Sequence, residues 1–351
     1  MKAEILSWIY RREREKVIKE IFAKQDKEGR PRDFEEVFEE GDKKIRKLPK
    51  WFFNFSIPKN IGVKLHDLYF PSPLVISSFK NELDILYKWM NLGFGGVILK
   101  TAMPEDRDGN LPPRLQQVFV DGLEHLMNSM GLPGKGVEKK IAELEGSPIL
   151  YMGKPIGFGL GGSSLDGYKF VFDKYHSFIS TKTNIPHFYE INISCPNTAE
   201  GQQLTKHPEL LEDLLLHIRS KTNAVVGAKM SPDTSGVDLL KFAELLLRFP
   251  KTYINLGNTT YRKCSDVGLP TNSLPSDGGG LSGPKLYDNT LPMARHVSIT
   301  GIPIMSTGGI GTAAQVIELR KNGAVLFGMA TAIGHDPYCV PIINKELAKY
   351  S

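Results

Sequence analysis

The stretch His187-Phe188-Tyr189-Glu190-Ile191-Asn192-Ile193-Ser194-Cys195-Pro196-Asn197-Thr198 joins an apolar run to a cluster of chemically active side chains. The run 187–193 predicts a buried β-strand. Two carboxamides, a thiol and a hydroxyl stand at its end, where Pro196 removes a ladder donor and stops the pairing. Catalytic residues of α/β barrels occupy such strand ends. The stretch therefore predicts a site, and a strand-terminating turn is the simpler alternative.

Short apolar runs of this kind recur along the chain from residue 71 onward, with amphipathic helical patterns between them. The eight runs are 74–77, 96–99, 156–160, 188–193, 225–229, 253–256, 303–306 and 325–329. Helical patterns cover 82–91, 165–179, 208–220, 237–247, 292–297 and 313–321. Strands separated by helices predict a parallel sheet, and eight repeats predict a closed (β/α)8 TIM barrel. An open doubly wound sheet is the structural alternative.

The length and charge of the chain agree with one barrel and an extension. Of the 351 residues, 41% are hydrophobic, and about 290 residues suit one α/β barrel. We therefore expect a charged helical extension over 1–60 and the barrel over 61–351. The 44 basic and 39 acidic side chains give a net charge of +5, which is too small to indicate a nucleic-acid partner.

Residues 1–50 contain 15 basic and 12 acidic side chains and predict two helices with a break at Gly29-Arg30-Pro31. Two apolar patches lie on the first helix, one of Ile5, Leu6 and Ile9 and another of Val17, Ile18, Ile21 and Phe22. At about 100° of rotation per residue, the patches point in different directions. This predicts a helix docked on the protein or on a partner, and a lipid anchor is the less favoured alternative.

The cysteine spacing and the N-terminus indicate the compartment. Three widely spaced cysteines, Cys195, Cys264 and Cys339, fit neither a disulfide framework nor a zinc site. The first residues lack the pattern of a signal peptide, and no apolar run reaches the ~18 residues of a membrane span. We expect a cytoplasmic protein with no membrane contact.

Polar side chains follow several predicted strands. Lys100 and Thr101 follow the second, the cluster from Asn192 to Asn197 the fourth, Lys229 the fifth, and 255–260 the sixth. In a barrel these ends meet at one mouth. Two lysines opposite amides suit a planar, partly anionic ligand, although a single lysine at a strand end is more often a solvated charge.

Glycine-rich loops follow the seventh and eighth strands, at Ser306-Thr307-Gly308-Gly309-Ile310-Gly311 and Gly328-Met329-Ala330-Thr331. Glycines allow close approach to an anion, and the next helix start is expected to offer unpaired N–H groups. Barrels commonly bind phosphate there. Neither a dinucleotide fingerprint nor a Walker motif is present. We therefore expect flavin mononucleotide (FMN), with Lys229 as the cation near N1 and O2 of the flavin. The long connections 100–137 and 258–286 are expected to build or cover the site.

From residue 70 to the C-terminus the chain resembles the dihydroorotate dehydrogenases. The resemblance rests on the stretch 192–197 and on several further motifs in the same order. These are Lys100-Thr101, Gly109-Asn110, Pro113-Arg114, Asn128-Ser129-Met130-Gly131-Leu132-Pro133, Asn258-Thr259-Thr260, Gly280-Leu281-Ser282-Gly283 and Thr307-Gly308-Gly309-Ile310.

The resemblance implies FMN-dependent oxidation of dihydroorotate to orotate in de novo pyrimidine biosynthesis. Cys195 would remove the C5 proton while the C6 hydride passes to flavin N5, and Lys229 would share the catalytic role. The implied substrate contacts are Lys100, Asn128, Met130, Gly131, Leu132, Asn192, Asn197, Asn258 and Thr259. The implied flavin contacts are Ser77, Ser78, Lys100, Thr101, Asn192, Lys229, Gly283, Gly308, Gly309, Ala330 and Thr331.

For the electron acceptor and the partners, the motifs of this chain resemble two different classes of the family. Cys195 resembles the soluble class of the family, whereas 258–260 and 279–283 resemble the membrane class. We expect a soluble acceptor, either fumarate or NAD through a partner subunit, with a homodimer as the alternative assembly. One alternative is another FMN barrel oxidoreductase acting on a dihydropyrimidine or dihydrouridine. A second is a non-enzymatic barrel whose N-terminal segment binds a partner.

Overall fold

The computed structural model describes residues 1–193, 204 and 207–350. Eight parallel strands close a barrel in which each strand pairs with its neighbours and the last pairs with the first. All strands of the protein, including those outside the barrel, are numbered in chain order. The barrel strands are β3 (Leu74–Ile76), β4 (Gly96–Ala102), β7 (Ile156–Leu160), β8 (His187–Asn192), β9 (Val225–Met230), β10 (Thr252–Leu256), β13 (Ile304–Thr307) and β14 (Ala324–Met329). The TIM-barrel prediction is confirmed, and the open sheet is excluded.

Helices surround the barrel. They are α1 (Lys2–Lys27), α2 (Glu35–Lys47), α3 (Leu83–Met90), α4 (Val137–Leu144), α5 (Leu165–Ser180), α6 (Pro208–Arg219), α7 (Gly236–Leu247), α8 (Tyr287–Ser298), α9 (Ala313–Lys321), α10 (Thr331–His335) and α11 (Cys339–Leu347). All six patterns predicted after residue 71 correspond to helices. The largest boundary error is at α8, which begins at Tyr287 and contains Pro292 as an interior residue.

The strands alternate between an inner and an outer apolar layer. Residues such as Phe188, Tyr253 and Met305 form a core inside the barrel, while their chain neighbours Tyr189, Ile254 and Ile304 belong to the core that contacts the helices. Successive side chains of a strand point to opposite faces. The same alternation carries positions 190 and 192 of β8 and 229 of β9 into the barrel interior.

A short hairpin covers the amino-terminal end of the barrel. Strand β1 (Val63–Leu65) pairs antiparallel with β2 (Leu68–Phe70). Leu65 and Phe70 are buried in the inner core, and His66 Nε2 lies 2.8 Å from the carbonyl oxygen of Thr252. The opposite end, where the polar residues stand, is left for the site.

The two long connections, 100–137 and 258–286, meet in one antiparallel sheet that the sequence analysis did not predict. Strands β5 (Leu115–Val120) and β6 (Leu123–Asn128) come from the first connection, and β11 (Thr260–Lys263) and β12 (Gly278–Ser282) from the second. Their order is β11-β12-β6-β5. Because both connections leave carboxyl ends of barrel strands, this sheet belongs to the same end of the barrel as the site.

The two N-terminal helices pack on the rest of the protein. Val17 is buried in a cluster with Phe34, Leu115 and Leu126, and Ile18, Ile21 and Phe22 pack against that cluster. Arg14 forms an ion pair with Glu124 of β6. The second apolar patch of α1 thus contacts the antiparallel sheet, in agreement with a docked helix. In the described part of the chain, no helix is long and apolar enough to cross a bilayer.

Candidate active site

Side chains from several strands meet at the carboxyl end of the barrel. Asn192 pairs in register with Lys229, and Lys229 with Asn255 of the next strand. Lys229 Nζ donates to Ser78 Oγ at 3.5 Å, and Asn192 Nδ2 donates to Thr101 Oγ1 at 3.1 Å. The structure therefore brings together predicted residues that are up to 151 positions apart in the chain.

A buried carboxylate that the sequence analysis did not single out, Glu190, stands two residues before Asn192 in β8. Glu190 is 1% exposed and accepts hydrogen bonds from Tyr253 Oη at 3.1 Å and Asn255 Nδ2 at 2.7 Å. Burial raises the pKa of the Glu190 carboxyl, and the positive charge of Lys229 partly opposes this shift. A charged residue within the apolar run 187–193 was the available signal, because unpaired carboxylates are rarely buried.

The Glu190 network continues toward the glycine-rich loop of β13. Asn255 Oδ1 accepts a hydrogen bond from Thr307 Oγ1 at 2.8 Å. Thr307 is the last residue of β13 and immediately precedes Gly308. The hydrogen bonds thus connect Glu190, through Asn255, to the start of the predicted phosphate loop, and the charge of Lys229 acts on the same carboxylate.

Two oxygens at the barrel mouth are buried without a hydrogen-bond partner among the described residues. They are Ser77 Oγ and Asn192 Oδ1. A Cβ added at Gly328 would lie 2.6 Å from Ser77 Oγ, which places β3 and β14 side by side here. Because buried polar atoms are nearly always satisfied, both oxygens are available to hydrogen-bond a ligand at the barrel mouth.

Lys100 lines a small cavity together with Asn81 of the loop after β3 and Lys140 of α4. Burial lowers the pKa of the Lys100 ammonium group. Lys140 of α4 donates to the Lys100 carbonyl oxygen at 3.0 Å and to Asn81 Oδ1 at 2.9 Å. Burial, assisted by the nearby Lys100 charge, lowers the pKa of Lys140 to about 8. Lys140 was not among the predicted residues.

The glycine-rich loop after β13 adopts a conformation that needs glycine. Gly308 and Gly309 have φ of +125° and +70°. The loop after β14 is connected to β12, because Thr331 Oγ1 donates to Ser282 Oγ at 2.9 Å. Ala330 directly precedes α10, and Gly283 follows β12 with φ of +134°.

The helix start after the β13 loop differs from the expectation of unpaired N–H groups. Gln315 Oε1 accepts hydrogen bonds from the peptide N–H groups of Gly311 and Thr312, at 2.9 and 3.1 Å. Thr312 and Gln315 form a capping box at the start of α9. This expectation was wrong for these two donors, because the helix satisfies them with its own side chain.

The predicted substrate loop lies against the antiparallel sheet. Asn128 Nδ2 donates to the Gly280 carbonyl oxygen at 3.1 Å, and a Cβ on Gly280 would meet the Thr259 side chain. Asn258 Oδ1 accepts from the Thr259 N–H at 2.8 Å. Met127 is buried and Met130 is partly buried. The next two residues, Gly131 and Leu132, have φ of +71° and +56°. Leu132 is strained, because a side chain disfavours that region.

Two of the predicted residues, Cys195 and Asn197, lie outside the described residues. The structure supplies no geometry for either, and their roles stay predictions.

Comparisons with known proteins agree with the resemblance seen in the motifs. Residues 60–350 match the family model described as dihydroorotate dehydrogenase. A protein of Halalkalibacterium halodurans named "Dihydroorotate dehydrogenase B (NAD(+)), catalytic subunit" is 30% identical over 295 residues, which cover 82% of this chain and 92% of that protein. A Bacillus cytotoxicus protein of the same name is 29% identical over 296 residues, which cover 82% of this chain and 90% of that protein.

A solved structure shows the same fold. The crystal structure of an Eimeria tenella DHODH in complex with ferulenol superposes with a TM-score of 0.68, covering 86% of this chain and 85% of that chain at 18% identity. The eight parallel strands, the order of the motifs and these matches lead to one conclusion. The chain belongs to the dihydroorotate dehydrogenase family and is an enzyme of that family.

Proposed function

We propose that this enzyme oxidises dihydroorotate to orotate with FMN, in de novo pyrimidine biosynthesis. The observation that carries the proposal is the juxtaposition of Lys229 and Asn192 in register at the barrel mouth, with Ser77 Oγ and Asn192 Oδ1 buried and unsatisfied in the described structure. A planar ligand with hydrogen-bonding edges would satisfy both oxygens, and an anionic ring would be paired with the lysine.

The residues present fit FMN. Its phosphate would be held by the loops of Gly308, Gly309, Ala330 and Thr331, and the ring by Ser77, Ser78, Lys100, Thr101, Asn192, Lys229 and Gly283. When bound, FMN would supply the two-electron acceptor, taking the C6 hydride at N5. Lys229 would hold a positive charge at the ring edge where negative charge develops.

The polar groups proposed to orient the substrate are mainly amides, together with one thiol. Asn128, Asn192, Asn197 and Asn258 carry donors and acceptors that match the edges of a pyrimidine ring. We assign further substrate contacts to Lys100, Met130, Gly131, Leu132 and Thr259. Cys195, three residues after Asn192, would take the C5 proton as general base.

We expect the purified protein to contain about one non-covalent FMN per chain, measured by the absorbance and chromatography of the flavin released on denaturation. Gly311 offers a probe of the phosphate loops, because among the described residues a Cβ there would meet only Ala332 Cβ, at 3.7 Å. Gly311→Glu should weaken FMN binding about tenfold or more by charge repulsion, whereas Gly311→Gln, of equal size, should bind FMN as the parent does. Equal affinity of the two variants would contradict this phosphate position.

Gly309, by contrast, is a poor position for such a probe. A Cβ there would lie 2.6 Å from the Pro284 carbonyl oxygen and would also collide with the Tyr287 backbone nitrogen, and its φ is +70°. A substitution would distort the loop whatever it binds. Loss of flavin from a Gly309 variant would therefore not identify the phosphate site.

We propose further that the electrons pass to a soluble acceptor, either fumarate or NAD through a partner subunit. The relatives named "Dihydroorotate dehydrogenase B (NAD(+)), catalytic subunit" support the second choice. Stopped-flow reoxidation of the reduced enzyme should be fast with fumarate, or with NAD once a partner flavoprotein is added. Fast reoxidation by a long-chain quinone alone would contradict the proposal.

A further inference from the structure

The N-terminal extension contacts the loop that supports the predicted substrate pocket. Residue Phe34, between α1 and α2, donates its N–H to the Leu115 carbonyl oxygen at 2.8 Å. Gln116 Nε2 donates to the Arg32 carbonyl oxygen at 2.7 Å. Asp33 Oδ2 accepts the Arg114 N–H at 3.1 Å. The segment 32–34 therefore lies along the start of β5.

Arg114 links the extension to the loop 108–110. Its guanidinium donates to both carboxylate oxygens of Glu35, through Nε at 2.8 Å and Nη2 at 3.1 Å. The remaining nitrogen, Nη1, donates to the carbonyl oxygens of Asp108 at 2.7 Å and Asn110 at 3.0 Å. The fork geometry means that Glu35 fixes the plane of the guanidinium, and that plane directs Nη1 at the loop.

The loop in turn holds the segment 129–134, which contains three predicted substrate contacts. Asn110 donates its N–H to the Met130 carbonyl oxygen at 2.9 Å and its Nδ2 to the Ser129 carbonyl oxygen at 2.8 Å. Arg107 and Gly134 exchange two backbone hydrogen bonds, each of 2.9 Å. Leu132, with its strained φ, therefore lies between residues 129–130 and residue 134, which hydrogen bonds hold on either side.

We propose that Glu35 is a positioning residue for the substrate pocket, acting through Arg114 on the loop 108–110 and the segment 129–134. The ion pair is well shielded, since the side chains of Arg114 and Glu35 are 15% and 28% exposed. The family model begins at residue 60, so this function belongs to a part of the chain outside the matched region. The inference rests on the proposed function for the identity of the substrate.

The neighbouring residue Glu36 provides a matched control. It lies in the same first turn of α2 and pairs with Arg30, whose Nη1 donates to Glu36 Oε1 at 2.7 Å. Glu35→Gln and Glu36→Gln each remove one charge near the start of α2. Only the first substitution places a side-chain amide NH2 group where a carboxylate oxygen accepted a hydrogen bond from the Arg114 guanidinium.

The test combines substrate binding with hydrogen–deuterium exchange on the full-length protein. In Glu35→Gln we expect faster exchange in 105–114 and 129–134, a KM for dihydroorotate raised about tenfold, an unchanged limiting rate and unchanged flavin content. Arg114→Lys, which cannot form the fork, should behave alike. Glu36→Gln should match the parent.

Two results would overturn the inference. One is parent-like exchange and KM in Glu35→Gln, and the other is the same change in Glu36→Gln, which would indicate a general effect on the start of α2. If the parent itself binds neither dihydroorotate nor orotate, the proposed function fails. The exchange comparison between the two variants then still decides whether Glu35 holds the loop.

Discussion

Replacement of Lys229 by alanine should slow flavin reduction by dihydroorotate about 10³-fold. Lys229 lies at the barrel mouth, 8% exposed, in register with Asn192. A cation in this position would stabilise the negative charge that develops on a bound flavin ring when it is reduced. Anaerobic stopped-flow absorbance of the reconstituted variant measures the rate directly. A near-parental rate with bound flavin would place the electrostatic role elsewhere.

The buried neighbour of Lys229 requires a control for folding. Loss of the lysine charge would remove the nearby positive charge that opposes the raised pKa of the buried Glu190 carboxyl, and this should lower the free energy of unfolding. The double variant Lys229→Met with Glu190→Gln removes both charges. We expect it to recover much of the free energy of unfolding, measured by urea denaturation, but to remain slow in flavin reduction. Recovery of the reduction rate as well would contradict a direct role of the Lys229 charge.

Replacement of Cys195 by alanine should slow flavin reduction by at least about a hundredfold, the usual scale of lost general-base catalysis. Flavin content and orotate affinity should stay near those of the parent. The physical reason is that the base must be deprotonated, and a free thiol with a pKa of about 8.5 is mostly protonated at neutral pH. Reduction by the parent enzyme should therefore accelerate as the pH rises toward that value.

A serine substitution at the same position distinguishes a role of Cys195 as general base from a role as part of the pocket wall. Cys195→Ser should retain a little activity, with its pH profile displaced upward because a hydroxyl is a weaker acid than a thiol. A parental reduction rate in Cys195→Ala would show that the base lies elsewhere. If both variants lose orotate affinity and keep their limiting rates, Cys195 is part of the pocket wall.

The barrel could be predicted because its signal is repeated eight times. Each apolar run is short, and six of the seven intervals between runs contain a helical pattern with a 3.6-residue period. The antiparallel sheet could not be predicted in the same way. Its strand β12 is the sequence Gly-Gly-Gly-Leu-Ser, which lacks both alternation and β-branched residues. That strand depends on its partners β11 and β6, and β6 is distant from it in sequence.

The site shows a similar division. The residues at the barrel mouth were predicted because they follow strand ends, and Lys229, Asn192 and Thr101 do lie together. Glu190 was missed because it lies inside a strand, and only the register with β9 and β10 shows what it contacts. The capping of Gly311 by Gln315 was visible as Thr312 followed three residues later by Gln315, and this signal was overlooked.

The central claim is that dihydroorotate delivers two electrons to a flavin held in this barrel. Its most direct test is anaerobic mixing of the purified, FMN-containing protein with dihydroorotate while the flavin absorbance at about 450 nm is recorded. We predict that one equivalent of dihydroorotate bleaches the flavin and yields orotate, and that dihydrouracil at the same concentration does not. A flavin that stays oxidised with dihydroorotate, or that dihydrouracil reduces equally fast, would contradict the claim.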